Sequence, residues 1–305
     1  QRPNLALEIM EDRTTPAVSA SFATGTLTVS LTAASDAAYL QVNGSNVDVG
    51  TSSGASNVTS QSGVTRIVFQ DTGSNAGQVV TFNGSNAFSL TGGLQGTGVE
   101  TVVFNQPIDA SGGSASISVN APTQIEISSN LTGGTGGVSL VGGGSSTGDT
   151  DGVLILGSGT TITATGSGNV SVTGSGGSGS GSANYGVFVQ GSITSGGGNV
   201  SVTGTGGSGN GGTNVGVNVQ PSGKITAGGA GTVTVNGTGG SGAGADNYGV
   251  YVAGGGTNGF ITSSGGNVSV TGIGGGAGGS GGNNYGVYIV GGGDISAGGS
   301  GTVTV

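Results

Sequence analysis

The chain has 305 residues, 75 of them glycine; only 6% carry charge, and the formal net charge is −9. It contains neither cysteine nor histidine, which excludes disulfide staples and thiol chemistry and removes the commonest general base and metal ligand. Its four cations, Arg2, Arg13, Arg66 and Lys224, leave no basic footprint for nucleic acid or anionic lipid, and no apolar run approaches the roughly 18 residues of a membrane helix.

Residues 1–16 differ from the rest of the chain. They hold Glu8, Glu11, Asp12, two of the four cations and the only methionine. Leu5, Leu7, Ile9 and Met10 are the apolar residues here; the segment reads as a short amphipathic element capping the first coil of a β-rich body. The stretch LALEIMEDRTTPA resembles the LE-x-L-EDR-x-x-PA signature found near the N-termini of large exported proteins of planctomycete bacteria. Leu7, Glu8, Glu11, Asp12, Arg13, Pro16 and Ala17 match it, and Met10 stands where leucine is usual. The resemblance implies lineage and export, and it carries no chemistry. In such proteins a basic arm and an export signal lie upstream, so residue 1 is expected at a processing point or inside a longer chain.

From 17 to 107 the chain is β-rich with a loose period. TLTVSL (26–31), YLQVNG (39–44), TRIVFQD (65–71), QVVTFNG (78–84) and VETVVF (99–104) read as strands. NGSN, DTGSNAG and TGGLQGTG between them read as turns. These are expected to be the irregular first coils of a solenoid, whose terminal unit must close the core and blunt an exposed edge. A separate small β-sandwich is the alternative.

From 108 to 305 the pieces repeat. IDASGG (108–113), ASISV, TQIEIS and NLTGG, then GVSLVGG, DGVLIL and TITATGSG, lead into NVSVTG (169–174), NYGVFV (184–189) and SITSGGG (192–198), which return three more times. Successive first strands, at Val170, Val200, Val233, Val268 and Val303, are 30, 33, 35 and 35 residues apart. Each piece alternates with the period of a half-buried strand: Val170 and Val172 on one face, Ser171 and Thr173 on the other. In the second piece Tyr185, Val187 and Val189 are expected to face inward together, opposite Phe188. No helical apolar period occurs, and a propeller blade would need four strands and about 40–45 residues. Disorder, suggested by the glycine content, is opposed by β-branched strands at fixed places. The prediction is an all-β, right-handed parallel β-helix (a β-solenoid) with three short strands per coil, coils of 21–35 residues and an irregular N-terminal cap. Roughly a dozen coils would make a body about 50–60 Å long. The glycine-serine connections at 174–183, 204–213, 237–246 and 272–283 are expected to project from one corner as a ridge without packed side chains.

Chemistry is sparse. Glycoside hydrolysis needs paired carboxylates, and the regular coils from 137 onward offer only Asp149, Asp151, Asp246 and Asp294, with Lys224 the sole base. Asp149 and Asp151 are the candidate cation ligands, yet calcium takes six to eight oxygens and a polar turn explains the pair. Eight N-x-S/T sequons occur, and outward alternation accounts for them. Two columns remain. Asn184, Asn214, Asn247 and Asn284 should form an amide ladder along the axis. Phe188, Asn218, Tyr251 and Tyr288 should form an outward column able to contact sugar rings or a neighbouring fibre.

The long coils also resemble, in pattern, giant bacterial adhesins of the haemagglutinin and autotransporter-passenger kind. Resemblance and residues together predict an extracellular or cell-surface bacterial protein without enzymatic activity or cofactor. The first expectation is a structural fibre, its copies stacked head to tail through Leu5, Leu7, Ile9 and Met10 of one chain and the open strand at Val303 and Val305 of the next. The alternatives are an adhesin or carbohydrate-binding surface protein and a polysaccharide-active enzyme.

Overall fold

The computed structural model describes residues 18–73, 76–144, 148–276 and 281–305, and the expected contact residues Leu5, Leu7, Ile9 and Met10 lie outside them. The described residues form strands, turns and irregular segments only, and no helix is long and apolar enough to cross a membrane.

Two sheets run the length of the described residues, and a third joins them from Phe88–Ser89 onward. In the repeat the first takes Val170–Ser175, Val200–Thr205, Val233–Thr238, Val268–Ile273 and Val303–Thr304; the second takes Val187–Val189, Val217–Val219, Val250–Ala253 and Val287–Val290; the third takes Ser192–Ser195, Lys224–Ala227, Phe260–Ser263 and Asp294–Ile295. Every one of these strands pairs in parallel with its counterpart one coil away, with Val170 opposite Val200, Val200 opposite Val233 and Val233 opposite Val268. The architecture is an open β-solenoid of three-stranded coils, as the repeat implies. Ile108–Ala110 lies in the third sheet between Phe88–Ser89 and Leu131–Gly133, so IDASGG is in register with the later coils, and the register runs further back than that piece.

The interior is set by the alternation. Val170, Val172, Val187, Val189 and Ile193 are at most 1% exposed, and each stacks on its equivalent above and below. Burying a valine or isoleucine side chain contributes about 1.5–3 kcal/mol, and no coil can bury its own without the next. The first coils are wider inside. Phe69, Phe82, Phe88 and Phe104 pack there, with Phe82 stacked on Phe104 at 4.9 Å and edge-on to Phe88 at 5.3 Å.

Three expectations change. First, TGGLQGTG is no turn: Gly93–Thr97 is a strand of the first sheet between Arg66–Asp71 and Ile117–Ala121. Leu94 is its buried residue, and Gly96 is glycine because a methyl group there would overlap the Phe69 ring. Second, residues 37–62 run as an antiparallel meander, Ala37–Asn43, Asn46–Gly50 and Thr59–Ser62, and Val18–Ala23 pairs antiparallel with Thr26–Leu31. Thr26–Leu31 and Ala37–Asn43 still pair in parallel with Arg66–Asp71 and Val79–Phe82, while Val18–Ala23, Asn46–Gly50 and Thr59–Ser62 add antiparallel strands that close the N-terminal end of two sheets. Ten parallel strands remain in the first sheet, about 43 Å of stack at the ordinary strand spacing, shorter than the dozen coils expected. The strands between 26 and 104 extend the same three sheets.

Third, among the described residues, outside which 277–280 of the last connection lie, the glycine-serine connections are packed layers, not a free ridge. Gly177 and Gly179 donate to the carbonyls of Thr150 and Gly148 at 2.7 and 2.9 Å, and Gly207 and Gly240 donate to those of Asn184 and Asn214 at 2.8 and 2.7 Å. Buried glycines alternate with exposed Ser178, Ser180, Ser208 and Asn210. A methyl at Gly209 or Gly242 would fall far inside 3.0 Å of the Gly179 or Gly209 carbonyl oxygen. Glycine is needed because backbone lies on backbone. The asparagine column anchors these layers, by a different bond from the one expected. Asn214 Oδ1 accepts the Asn184 backbone N–H at 2.9 Å, Asn247 Oδ1 accepts that of Asn214 at 3.0 Å, and Asn284 Oδ1 that of Asn247 at 2.8 Å. Each Nδ2 instead donates into its own glycine layer, as Asn214 does to the Gly211 carbonyl at 2.7 Å.

Candidate functional site

In a stacked repeat, the geometry common to every coil serves the core, so departures from the repeat mark the places where a coil does something else. One lies on the second sheet. Phe188, Asn218, Tyr251 and Tyr288 are in register on successive coils, as expected from their spacing. Beside them run Tyr185, Val215, Tyr248 and Tyr285, linked through Gly186, Gly216 and Gly249, whose N–H groups donate to the carbonyls of Val215, Tyr248 and Tyr285 at 3.0 Å each.

The tyrosines of this second column do not point inward with Val187. The strand starts only at Val187, and the glycine before it is pressed against the end of the first sheet, where a methyl at Gly186 would meet the Thr205 nitrogen. The ring of Tyr185 therefore turns outward and stacks on Phe188, centroids 5.2 Å apart and planes 20° apart. Tyr248 stacks on Tyr251 at 5.5 Å and on Tyr285 at 6.0 Å, and lies 5.0 Å from Tyr288. Six rings thus share one outer face, three of them missed by simple alternation. The signal that would have found them is a tyrosine recurring immediately before the glycine that precedes the second-sheet strand.

The ring array is broken in one coil. Val215 and Asn218 stand where neighbouring coils carry aromatics, and a recess of about 260 Å³ opens there, bounded by Tyr185 on one side and by Tyr248 and Tyr251 on the other. Its polar groups are fixed. Gln220 Nε2 donates to Asn218 Oδ1 at 2.7 Å, and the Tyr248 hydroxyl donates to Asp246 Oδ1 at 2.8 Å. Burial, helped by the charge and hydrogen bond of Asp246, pushes the Tyr248 phenol well above its ordinary value. Burial and the nearby Asp151 charge raise that of Tyr185, with an opposing hydrogen bond from Asn218. Both phenols are neutral at physiological pH. The recess accordingly offers flat apolar faces with amide and hydroxyl groups at their edges, the combination that orients a small polar ligand with C–H faces.

Asp149 and Asp151 lie beneath this face. Asp149 Oδ1 accepts the Gly181 N–H at 2.7 Å, and Asp151 Oδ1 accepts the Tyr185 N–H at 2.6 Å. Burial dominates at Asp151 and pushes its carboxyl up to about 6, the Tyr185 hydrogen bond acting in the opposite direction. Both carboxylates hold the next coil's backbone, and among the described residues no cluster of three or more His, Cys, Asp or Glu side chains can hold a metal. Val303 and Val305, the expected assembly contacts of the last strand, are 43% and 68% exposed. Of the sequons, Asn169, Asn199 and Asn267 have their side-chain oxygens engaged by the N–H groups of Asn199, Thr232 and Thr302.

Comparison of the chain with protein-family models, with curated proteins and with solved structures finds no match.

Proposed function

We propose that this chain is a rigid β-solenoid spacer of an extracellular surface protein, and that its outward aromatic face binds carbohydrate. The observation that carries the reading is the interruption of the ring array at Val215 and Asn218, which leaves a recess between Tyr185 and the Tyr248–Tyr251 pair. Six aromatic rings gathered on one outer face make the kind of apolar patch that marks a binding surface, and sugar rings present C–H faces to stack and hydroxyls for Asn218, Gln220 and the tyrosine edges. The solenoid suits the role mechanically, since its register fixes the position of every ring to one coil step.

The test is isothermal titration against a panel of neutral oligosaccharides. Tyr251→Ala, which removes one wall, should weaken binding about tenfold, in line with about 1.4 kcal/mol for a lost stacking partner. Asn218→Tyr restores the residue that Tyr251 and Tyr288 present at the same register; it should fold normally and bind nothing. Equal binding by Asn218→Tyr, or no binding of any oligosaccharide by the wild type, refutes the reading.

A further inference from the structure

A second departure from the repeat lies at the opposite end of the same second-sheet strands. Between the second and third sheets one coil uses only Gln190 and Gly191, the next uses residues 220–223, and the one after uses 254–259. The core does not require these longer corners, because Ile193, Ile225 and Ile261 keep their register through all three coils. The lengthened corners instead wall a recess of about 580 Å³ on the outer side of the third sheet.

Lys224, Phe260 and Asp294 line it as one column, paired residue to residue on successive coils. Lys224 is the only cation after Arg66, and Asp294 the only acid after Asp246. The Lys224 ammonium sits 5.3 Å from the centroid of the Phe260 ring, a cation–π geometry that holds it over the recess. Two coil steps, about 9.6 Å at the ordinary strand spacing, separate Lys224 from Asp294, with the ring between them. Ser222 and Thr257 stand at the rim with their hydroxyls 2.7 Å apart, next to Asn258.

We infer that this recess binds a carboxylated sugar residue of the glycan, an extension that rests on the carbohydrate reading of the aromatic face. The ring of Phe260 takes the C–H face of the sugar, Lys224 takes its carboxylate, and Asp294 and the rim accept and donate to its hydroxyls. A single ammonium is a point charge suited to one carboxylate rather than to the bidentate grip of a phosphate. The chain's net charge of −9 disfavours a densely charged polyanion, whereas one carboxylate per ring, screened within about 8 Å at physiological salt, leaves the local attraction of Lys224 dominant. The two recesses lie on the second and third sheets, with residues 254–259 forming the corner between Val250–Ala253 and Phe260–Ser263.

The experiment is calorimetric titration of the full chain with a uronic-acid oligosaccharide and with its carboxyl-reduced neutral counterpart. The wild type should prefer the acidic form about tenfold. Lys224→Gln should bind both forms at the neutral form's level, Lys224→Arg should keep the preference, and Tyr251→Ala should weaken both forms alike. A preference that survives in Lys224→Gln overturns the inference. Wild-type binding of the neutral form with no acidic preference overturns it while leaving the aromatic site standing, and failure to bind either form removes both.

Discussion

Gly242→Ala decides whether the glycine layers belong to the folded body. Gly242 has no positive φ, so its backbone suits alanine. In a free loop the substitution would stabilise the protein by about 0.4–1 kcal/mol through the unfolded chain. In the packed layer the new methyl falls within 3.0 Å of the Gly209 carbonyl oxygen, with the backbone of Asn210 also close. Nothing there is the end of a flexible side chain, so two hydrogen-bonded layers must separate. Overpacking of this kind costs about 1–3 kcal/mol, and a clash between backbones belongs at the upper end, about 3 kcal/mol. In a solenoid that loss falls on one coil-to-coil interface. With a urea m-value of about 3 kcal/mol per molar, the midpoint followed by far-UV circular dichroism should fall by about 1 M. Ser241→Ala, at an exposed position of the same layer, should stay within about 0.5 kcal/mol. A Gly242→Ala midpoint equal to or above wild type would show that the layers do not bear on one another.

Asn214→Ala should destabilise by about 2–3 kcal/mol in the same assay, because a buried asparagine is replaced while the Asn184 N–H and the Gly211 carbonyl lose their partner; a change under about 0.5 kcal/mol would show that water replaces the amide freely. Asp151 makes stability depend on pH. Its folded-state pKa of about 6 lies above the ordinary carboxyl value of 3.8, so the folded chain binds the extra proton, and stability falls as pH rises from about 4 through about 6, by at most about 3 kcal/mol. The difference between wild type and Asp151→Asn, measured by thermal melts from pH 4 to pH 7, should widen with pH in favour of the asparagine variant; a pH-independent difference would refute the burial argument.

Alternation and period were enough to read the coil from the sequence. A valine at every second position, returning after 30–35 residues, has no way to be buried except against its own copy, and the register of Val170, Val200, Val233 and Val268 follows from that alone. The column of Phe188, Asn218, Tyr251 and Tyr288 was legible for the same reason. What the sequence could not decide were the contacts made between coils at the corners. Glycine-serine runs carry no side-chain pattern, so whether they hang free or lie backbone on backbone depends on whether the coil beneath offers carbonyls in range, as Gly148 and Thr150 do for Gly179 and Gly177. TGGLQGTG has the composition of a turn and becomes a strand because the coils on either side offer Arg66–Asp71 and Ile117–Ala121 to pair with, its Gly96 leaving room for the Phe69 ring. Tyr185 sits at the parity of an inward residue, and only the tight approach of Gly186 to the first sheet turns it outward onto Phe188. Local periodicity thus determined which residues pair; the close contact of successive coils decided which way the corners face, and both recesses are made at corners.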